Sequence, residues 1–301
     1  MEARPALRVL VTGGAGHLGR HVTEALVAAG HHVHAVDRAP LPGLARAPAE
    51  ATVADLATWD GLAEALAGAD ALVDLAAIPN LDTLPEPEVY RANVALAARV
   101  AFAAMAAGVR RHVYASSQTV LGQALAPRIV SPDTVPLDED HPVRPREGYG
   151  LSKLAGEGLA RLVAERLGIG AVAIRLPVVW AAETFARHVE KRANDPVQAA
   201  KSLWAYVDAR DAAEAFRLAV EAPLEGFHVV QVGAARPFAD EDIRGLLTRW
   251  HPSARILGPI GPDTPVWSID RARRLLGYRP RFVWRPRGIE TAEPYHRSVP
   301  A

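Results

Sequence analysis

The chain has 301 residues and half of them are hydrophobic, so it can bury one large core or two intimate ones. Its 34 Lys and Arg match its 34 Asp and Glu, a balance that argues against a nucleic-acid or anionic-membrane partner. With no cysteine it has no disulfide, no thiolate metal site and no cysteine nucleophile.

The opening stretch MEARPALRVLVTGG is too short in apolar residues for a signal peptide and leads straight into a strand. No apolar run reaches the length of a bilayer span, so a soluble cytoplasmic protein without a membrane partner is the expectation. Apolar runs of β character then alternate with helical patterns. Strands are expected at 6–12, 31–37, 51–55, 71–77, 111–117 and 170–176, with helices near 17–29, 58–67, 86–108 and 149–167 between them. Nearly continuous apolar strands separated by helices imply a doubly wound parallel sheet, an α/β fold of Rossmann type.

After residue 176 the texture changes. Residues 177–206 are irregular and include the charged stretch ARHVEKRANDP. A strand WAYV (204–207), a helix (209–222) and a strand FHVVQV (227–232) return to the α/β pattern. The remainder is rich in Pro and Arg, with helices near 239–249 and from Asp270. The expected division is a larger α/β domain of 1–176 that also takes 204–232. A small substrate-binding region from 177–203 and 233–301 would sit over the C-terminal edge of the sheet, where open sheets bind ligands.

VTGGAGHLG follows the first strand and opens a helix, with Gly13, Gly16 and Gly19 in the spacing G-x-x-G-x-x-G around His17 and Leu18. Glycines permit the tight turn and let a pyrophosphate approach the amides at the helix N-terminus. Asp37 ends the second strand, where a carboxylate accepts ribose hydroxyls and repels a 2′-phosphate, so NAD is the expected cofactor. Arg38 beside it is a counterweight, since a guanidinium suits a phosphate. Further on, GYGLSK places Tyr149 and Lys153 at i and i+4, on one face of a helix. A phenol beside an ammonium is either a surface contact or an acid–base pair.

Together these stretches resemble the extended short-chain dehydrogenase/reductase family, the group of NAD-dependent epimerases, dehydratases and sugar dehydrogenases. The resemblance runs in order through the glycine motif, Asp55-Leu56, Leu75-Ala76-Ala77, Asn93, Ser116-Ser117 and Tyr149-x-x-x-Lys153, then YVDARD at 206–211. It implies that Tyr149 is the acid–base and that Lys153 lowers its pKa while holding the nicotinamide ribose. The physics agrees, because a nearby cation favours phenolate over phenol. Ser117 would hydrogen-bond the substrate oxygen, with Ser116 the weaker candidate. Asp55 and Leu56 would contact adenine, and Leu75, Ala76 and Ala77 would line the nicotinamide side. The resemblance further implies a homodimer through the helices at 86–108 and 149–167, the second offering Leu154, Leu159, Leu162 and Val163.

Departures narrow the chemistry. Gln118-Thr119 stands where the family's dehydratases carry an acidic pair. Val178 stands where nucleotide-sugar epimerases hold an Asn, and GPDTPVW (261–267) where they carry Arg-Pro-Gly-Asp. ASSQTVLGQ (115–123) is similar to the corresponding stretch of uronate dehydrogenases, which implies that Arg187 takes a substrate carboxylate. A solvated face shared with Lys191 and Arg192 is the competing reading of Arg187. Asn80, Gln118 and Thr119 are expected at the other hydroxyls of a small sugar-like substrate. The alternatives are an NDP-sugar epimerase and a catalytically silent NAD-binding scaffold. The histidines of HHVH (31–34) match no zinc spacing, so no metal is expected. Asp138, Glu139 and Asp140 read as a solvated run, and Trp180 as core or as the border of the pocket.

Overall fold

The computed structural model describes residues 5–79, 81, 84–185, 195–285 and 288–291. Seven parallel strands form the central sheet: β1 Arg8–Thr12, β2 His32–Asp37, β3 Glu50–Val53, β4 Ala71–Asp74, β5 Arg111–Ser117, β7 Gly170–Leu176 and β10 Phe227–Gln231. Their spatial order is β10-β7-β5-β4-β1-β2-β3. The chain leaves β1 in one direction for β2 and β3 and returns to the other side for β4, so the order reverses between β1 and β4. This is the doubly wound architecture expected from the alternation.

Helices cover both faces. They are α1 Gly19–Ala28, α2 Leu62–Leu66, α3 Glu86–Ala107, α4 Gly148–Leu167, α5 Pro196–Lys201, α6 Ala209–Glu221, α7 Ile243–Trp250 and α8 Asp270–Leu276. The period of two along β1 shows how the core divides. Val9 and Val11 pack with Val22 and Leu26 of α1 and Phe216 of α6, whereas Leu10 packs with Leu62, Leu66, Val100 and Ala104 of α2 and α3. All seven residues of β7 are buried, as a strand covered on both faces requires. By length and apolar composition α3 matches a membrane span. Its Val89, Ala97, Val100, Ala101 and Ala104 are nevertheless buried within the protein, and Glu86, Glu88, Arg91 and Arg99 lie along it.

Outside the central sheet the described strands form three short pairs. They are β8 (Val178–Trp180) with β9 (Tyr206–Asp208), β6 (Thr134–Val135) with β11 (Arg255–Ile256), and β12 (Phe282–Arg285) with β13 (Gly288–Thr291). One expectation changes here and another is decided. The strand expected from residue 204 starts at Tyr206, because Leu203 and Trp204 both take φ near 55° in a tight turn. Trp180 is fully buried: its ring stacks on Tyr206 at 4.8 Å and meets Phe238 edge-on at 4.6 Å, so it is core.

Candidate active site

The glycine turn sits in the crevice where the strand order reverses. Gly13 and Gly14 N–H both donate to the Val36 carbonyl, at 2.8 and 3.2 Å, which ties the turn to the end of β2. A methyl group at Gly19 would overlap the Gly13 carbonyl, so only glycine lets α1 start this close to β1. At Gly13, φ is +71° and a methyl would stand 3.0 Å from the Ala76 backbone. The turn therefore abuts the loop after β4. This backbone cradle fits a dinucleotide: amides at a helix N-terminus, glycines where side chains would fill the space, and Asp37 alongside. His17 hydrogen-bonds the Val179 backbone, and Leu18 is the residue preceding α1. Asp37 Oδ2 accepts from Ala15 N–H at 3.0 Å and Oδ1 from Ala39 N–H at 3.0 Å, and Arg38 is exposed beside it.

Asp55 follows β3, exposed, and its carboxylate accepts from Ala57 N–H at 2.9 Å; Leu56 is buried in the α2–α3 core. Leu75, Ala76 and Ala77 follow β4 and are half-buried. Thr12 Oγ1 accepts from the Leu75 and Ala76 amides at 3.1 and 3.3 Å. Asn93 closes the other end of this loop: Oδ1 accepts from Ile78 N–H at 2.8 Å, and Nδ2 donates to the Ile78 carbonyl at 3.1 Å and to Ser152 Oγ at 3.3 Å. Its side chain is committed to holding the loop against α4.

β5 and α4 bring Ser117, Tyr149 and Lys153 together. Glu147 starts α4, both carboxylate oxygens accepting from Gly150 N–H at 2.8 and 3.0 Å, which aims the first turn at the end of β5. Tyr149 is half-buried, and Ser117 hydrogen-bonds its phenol. Lys153 is buried, donates from Nζ to the Ala115 carbonyl at 2.9 Å, and lies 5.8 Å from the Tyr149 ring centroid. Burial lowers Lys153 to about 8, opposed by the charge of Asp74. The expected depression of Tyr149 is absent. Burial pushes its phenol up, and the Ser117 hydrogen bond is what opposes the rise.

Ser116 is turned away from this group. Its hydroxyl lies 2.6 Å from Glu157 Oε1, and Glu157 accepts two bonds from Arg175, at 2.8 and 2.9 Å, in a buried fork. Gln118 is half-buried; Thr119 is buried, and its Oγ1 has no hydrogen-bond partner among the described residues. Asn80 and Arg187 lie outside the described residues. Among the described residues no three His, Asp or Glu side chains gather as a metal site.

The sequence profile of the NAD dependent epimerase/dehydratase family matches residues 9–233. The chain belongs to that family. It is an NAD-dependent enzyme of the extended short-chain dehydrogenase type. An L-arabinose 1-dehydrogenase (NAD(P)(+)) of Haloferax volcanii is 31% identical over 222 residues, covering 72% of this chain and 84% of that protein. A uronate dehydrogenase of Pseudomonas syringae pv. tomato is 32% identical over 172 residues, covering 57% of this chain and 59% of that protein. The solved structure of MoeE5 in complex with UDP-glucuronic acid and NAD is 26% identical, with a TM-score of 0.68 over 91% of this chain and 94% of that one.

Within this NAD-dependent epimerase/dehydratase chain, three buried titratable groups were not anticipated. Asp74 and His112 are buried strand residues 4.0 Å apart at Oδ2 and Nε2, in runs that read as plain apolar strands. Glu139, expected in solvent, is buried: Oε1 accepts from Gln231 N–H at 2.6 Å, and Arg271 stands 3.6 Å from Oε2. A carboxylate between two other acids gives no sign of folding inward, because the partners that draw it in come from β10 and α8.

Proposed function

We propose that the protein is a dehydrogenase that oxidises one hydroxyl of a small sugar or sugar acid, with NAD as the hydride acceptor. The observation that carries this reading is the convergence of Ser117, Tyr149 and Lys153 beside the loop at 75–77 and the glycine turn. Gly13, Gly16, His17, Leu18 and Gly19 hold the pyrophosphate through the backbone. Asp37 accepts the adenosine ribose hydroxyls with Arg38 outside it, and Asp55 and Leu56 border the adenine. NAD bound there would supply the acceptor for the hydride of the carbinol carbon.

The chain's own residues move the proton. Tyr149 as phenolate accepts the hydroxyl proton while Ser117 Oγ donates to the same substrate oxygen. Lys153 has given one of its three N–H groups to the Ala115 carbonyl. The remaining two serve the nicotinamide ribose, and its charge favours the phenolate. Asn93 supports the site by fixing Ile78, and the backbone at Ser116 borders the nicotinamide. The buried hydroxyl of Thr119, with Gln118, Asn80 and Arg187, meets the substrate, and the small region of 177–203 and 233–301 covers it. Thr119 is the best supported of these, because a buried hydroxyl without a partner is costly until something bonds it.

Two further parts belong to the same proposal. The protein is a homodimer through α3 and α4, and it works in the cytoplasm on a soluble NAD pool. The competing reading, a nucleotide-sugar epimerase, draws on the fold shared with the MoeE5 complex. Thermal unfolding of the NAD-bound protein with free uronates and pentoses, and separately with UDP-sugars, divides the two readings. The dehydrogenase reading expects stabilisation by a free sugar together with net NADH. Micromolar stabilisation by a UDP-sugar, with none by free sugars and no net NADH, would establish the epimerase instead.

A further inference from the structure

A carboxylate that no step above uses lies beneath the acid–base pair. Asp74, the last residue of β4, is 2% exposed, and its Oδ1 accepts from Thr12 Oγ1 at 2.8 Å. The Ala76 amide bonds the same carboxylate. The register of β4 and β5 sets Leu72 beside His112 and Asp74 beside Tyr114, so the polar side chains share one face of the sheet. From α4, Lys153 reaches the same spot, its Nζ 5.2 Å from the centroid of the Tyr114 ring.

The groups facing Asp74 are few. β1 gives the Thr12 hydroxyl, β5 gives His112 and Tyr114, and α4 gives Lys153, with Tyr149 one turn before it. Asn93 of α3 is spent on Ile78, and Glu157 of α4 on Arg175 and Ser116. His112 is not the counter-charge: neither ring nitrogen has a hydrogen-bond partner among the described residues and burial lowers it to about 4, so it is neutral near pH 7. Lys153 remains.

We propose that Asp74 is a positioning residue for the reaction, its buried carboxylate keeping the Lys153 amine protonated beneath Tyr149. The proposal rests on the roles given above to Tyr149 and Lys153. Burial raises Asp74 to about 6 and lowers Lys153 to about 8. Between these values both are ionised and each favours the charged form of the other. Removing the carboxylate charge leaves burial less opposed, so Lys153 loses its proton at lower pH. Its hold on the ribose and its pull on the Tyr149 proton go with it.

The chain contains only three lysines, Lys153, Lys191 and Lys201, which makes the amine directly observable. Carbon-13 labelling at lysine Cε gives three NMR signals, and Lys153→Met assigns the one that matters. Asp74→Asn keeps the shape and an acceptor for Thr12 while removing the charge. The expected result is a Lys153 titration midpoint at least about half a pH unit lower in Asp74→Asn, with the alkaline limb of the activity profile displaced equally. A midpoint that stays in place while activity falls marks a purely structural carboxylate and overturns the proposal. Should Asp74→Asn fail to fold, the Lys153 signal of the unaltered protein must show a second inflection near pH 6 as Asp74 takes up its proton. A one-step curve there also overturns it. The NMR result does not depend on turnover, so an inactive protein that shows the shift would refute the dehydrogenase reading alone.

Discussion

Tyr149 is held by two residues of different chemistry, and the difference makes its role testable. Ser117 is bonded to the phenol, while Lys153 points its ammonium at the Ala115 carbonyl below the ring. Neither touches the glycine turn, so the phenol hydroxyl can be removed without disturbing what holds the cofactor. Tyr149→Phe should lose about 100-fold or more in turnover, the scale of a missing general acid–base, with the NAD dissociation constant within a few-fold. Steady-state rates and a fluorescence titration with NADH measure the two quantities. Retention of more than about 10% of the rate would remove Tyr149 from the reaction. This part of the site is legible in the sequence because the spacing of Tyr149 and Lys153 is a local property of one helix turn. Asp74 is not legible, because its partners Thr12 and Lys153 come from β1 and α4 and only the folded sheet brings them together.

At the scale of elements, α4 decides whether that spacing is useful. Gly156 lies one turn after Lys153 on α4, and a methyl group there would overlap the Tyr114 hydroxyl. Glycine in mid-helix costs roughly 1 kcal/mol against alanine, so its presence here reflects the close approach of α4 to β5. Gly156→Ala should therefore destabilise the protein by about 1–3 kcal/mol, as overpacking does, where helix propensity alone predicts a gain. Urea unfolding gives the sign directly, and an increase in stability would mean that α4 has room to move. The same element shows what the sequence withholds. The strands of the central sheet through β7 were readable, because most are apolar on their own account, whereas the two-residue β6 was not. The turn at Leu203 and Trp204 was not, because two large residues with positive φ contradict local preference and are held by bonds to Ala199 and Ala200. Arg175 and Glu157 likewise meet only across the β7–α4 contact.

For the molecule as a whole, the open question is what covers the outer surface of α3 and α4. The two helices pack side by side on one face of the sheet, and both leave apolar residues outside. Phe102 is 58% exposed and lies on a stripe with Arg91, Ala95 and Ala106. On α4, Leu151 is 45% exposed, with Gly158 exposed and Ala155 and Leu162 half-buried along the same side. Of the residues expected at a dimer contact, Val163 is buried and Leu154 packs against the main core, whereas Leu159 and Leu162 stay partly open. Small residues beside Phe102 and Leu151 let helices from a second copy approach closely, and a two-fold axis would bring α3 and α4 against their mates. Light scattering at micromolar concentration should give twice the 32.2 kDa chain mass. Phe102→Asp should return it to the monomer with the fold intact, because a charge on this surface is harmless in water and costly inside an interface. A monomeric mass for the unaltered protein would mean that the stripe is ordinary surface, and that the site at the start of α4 is complete within one chain.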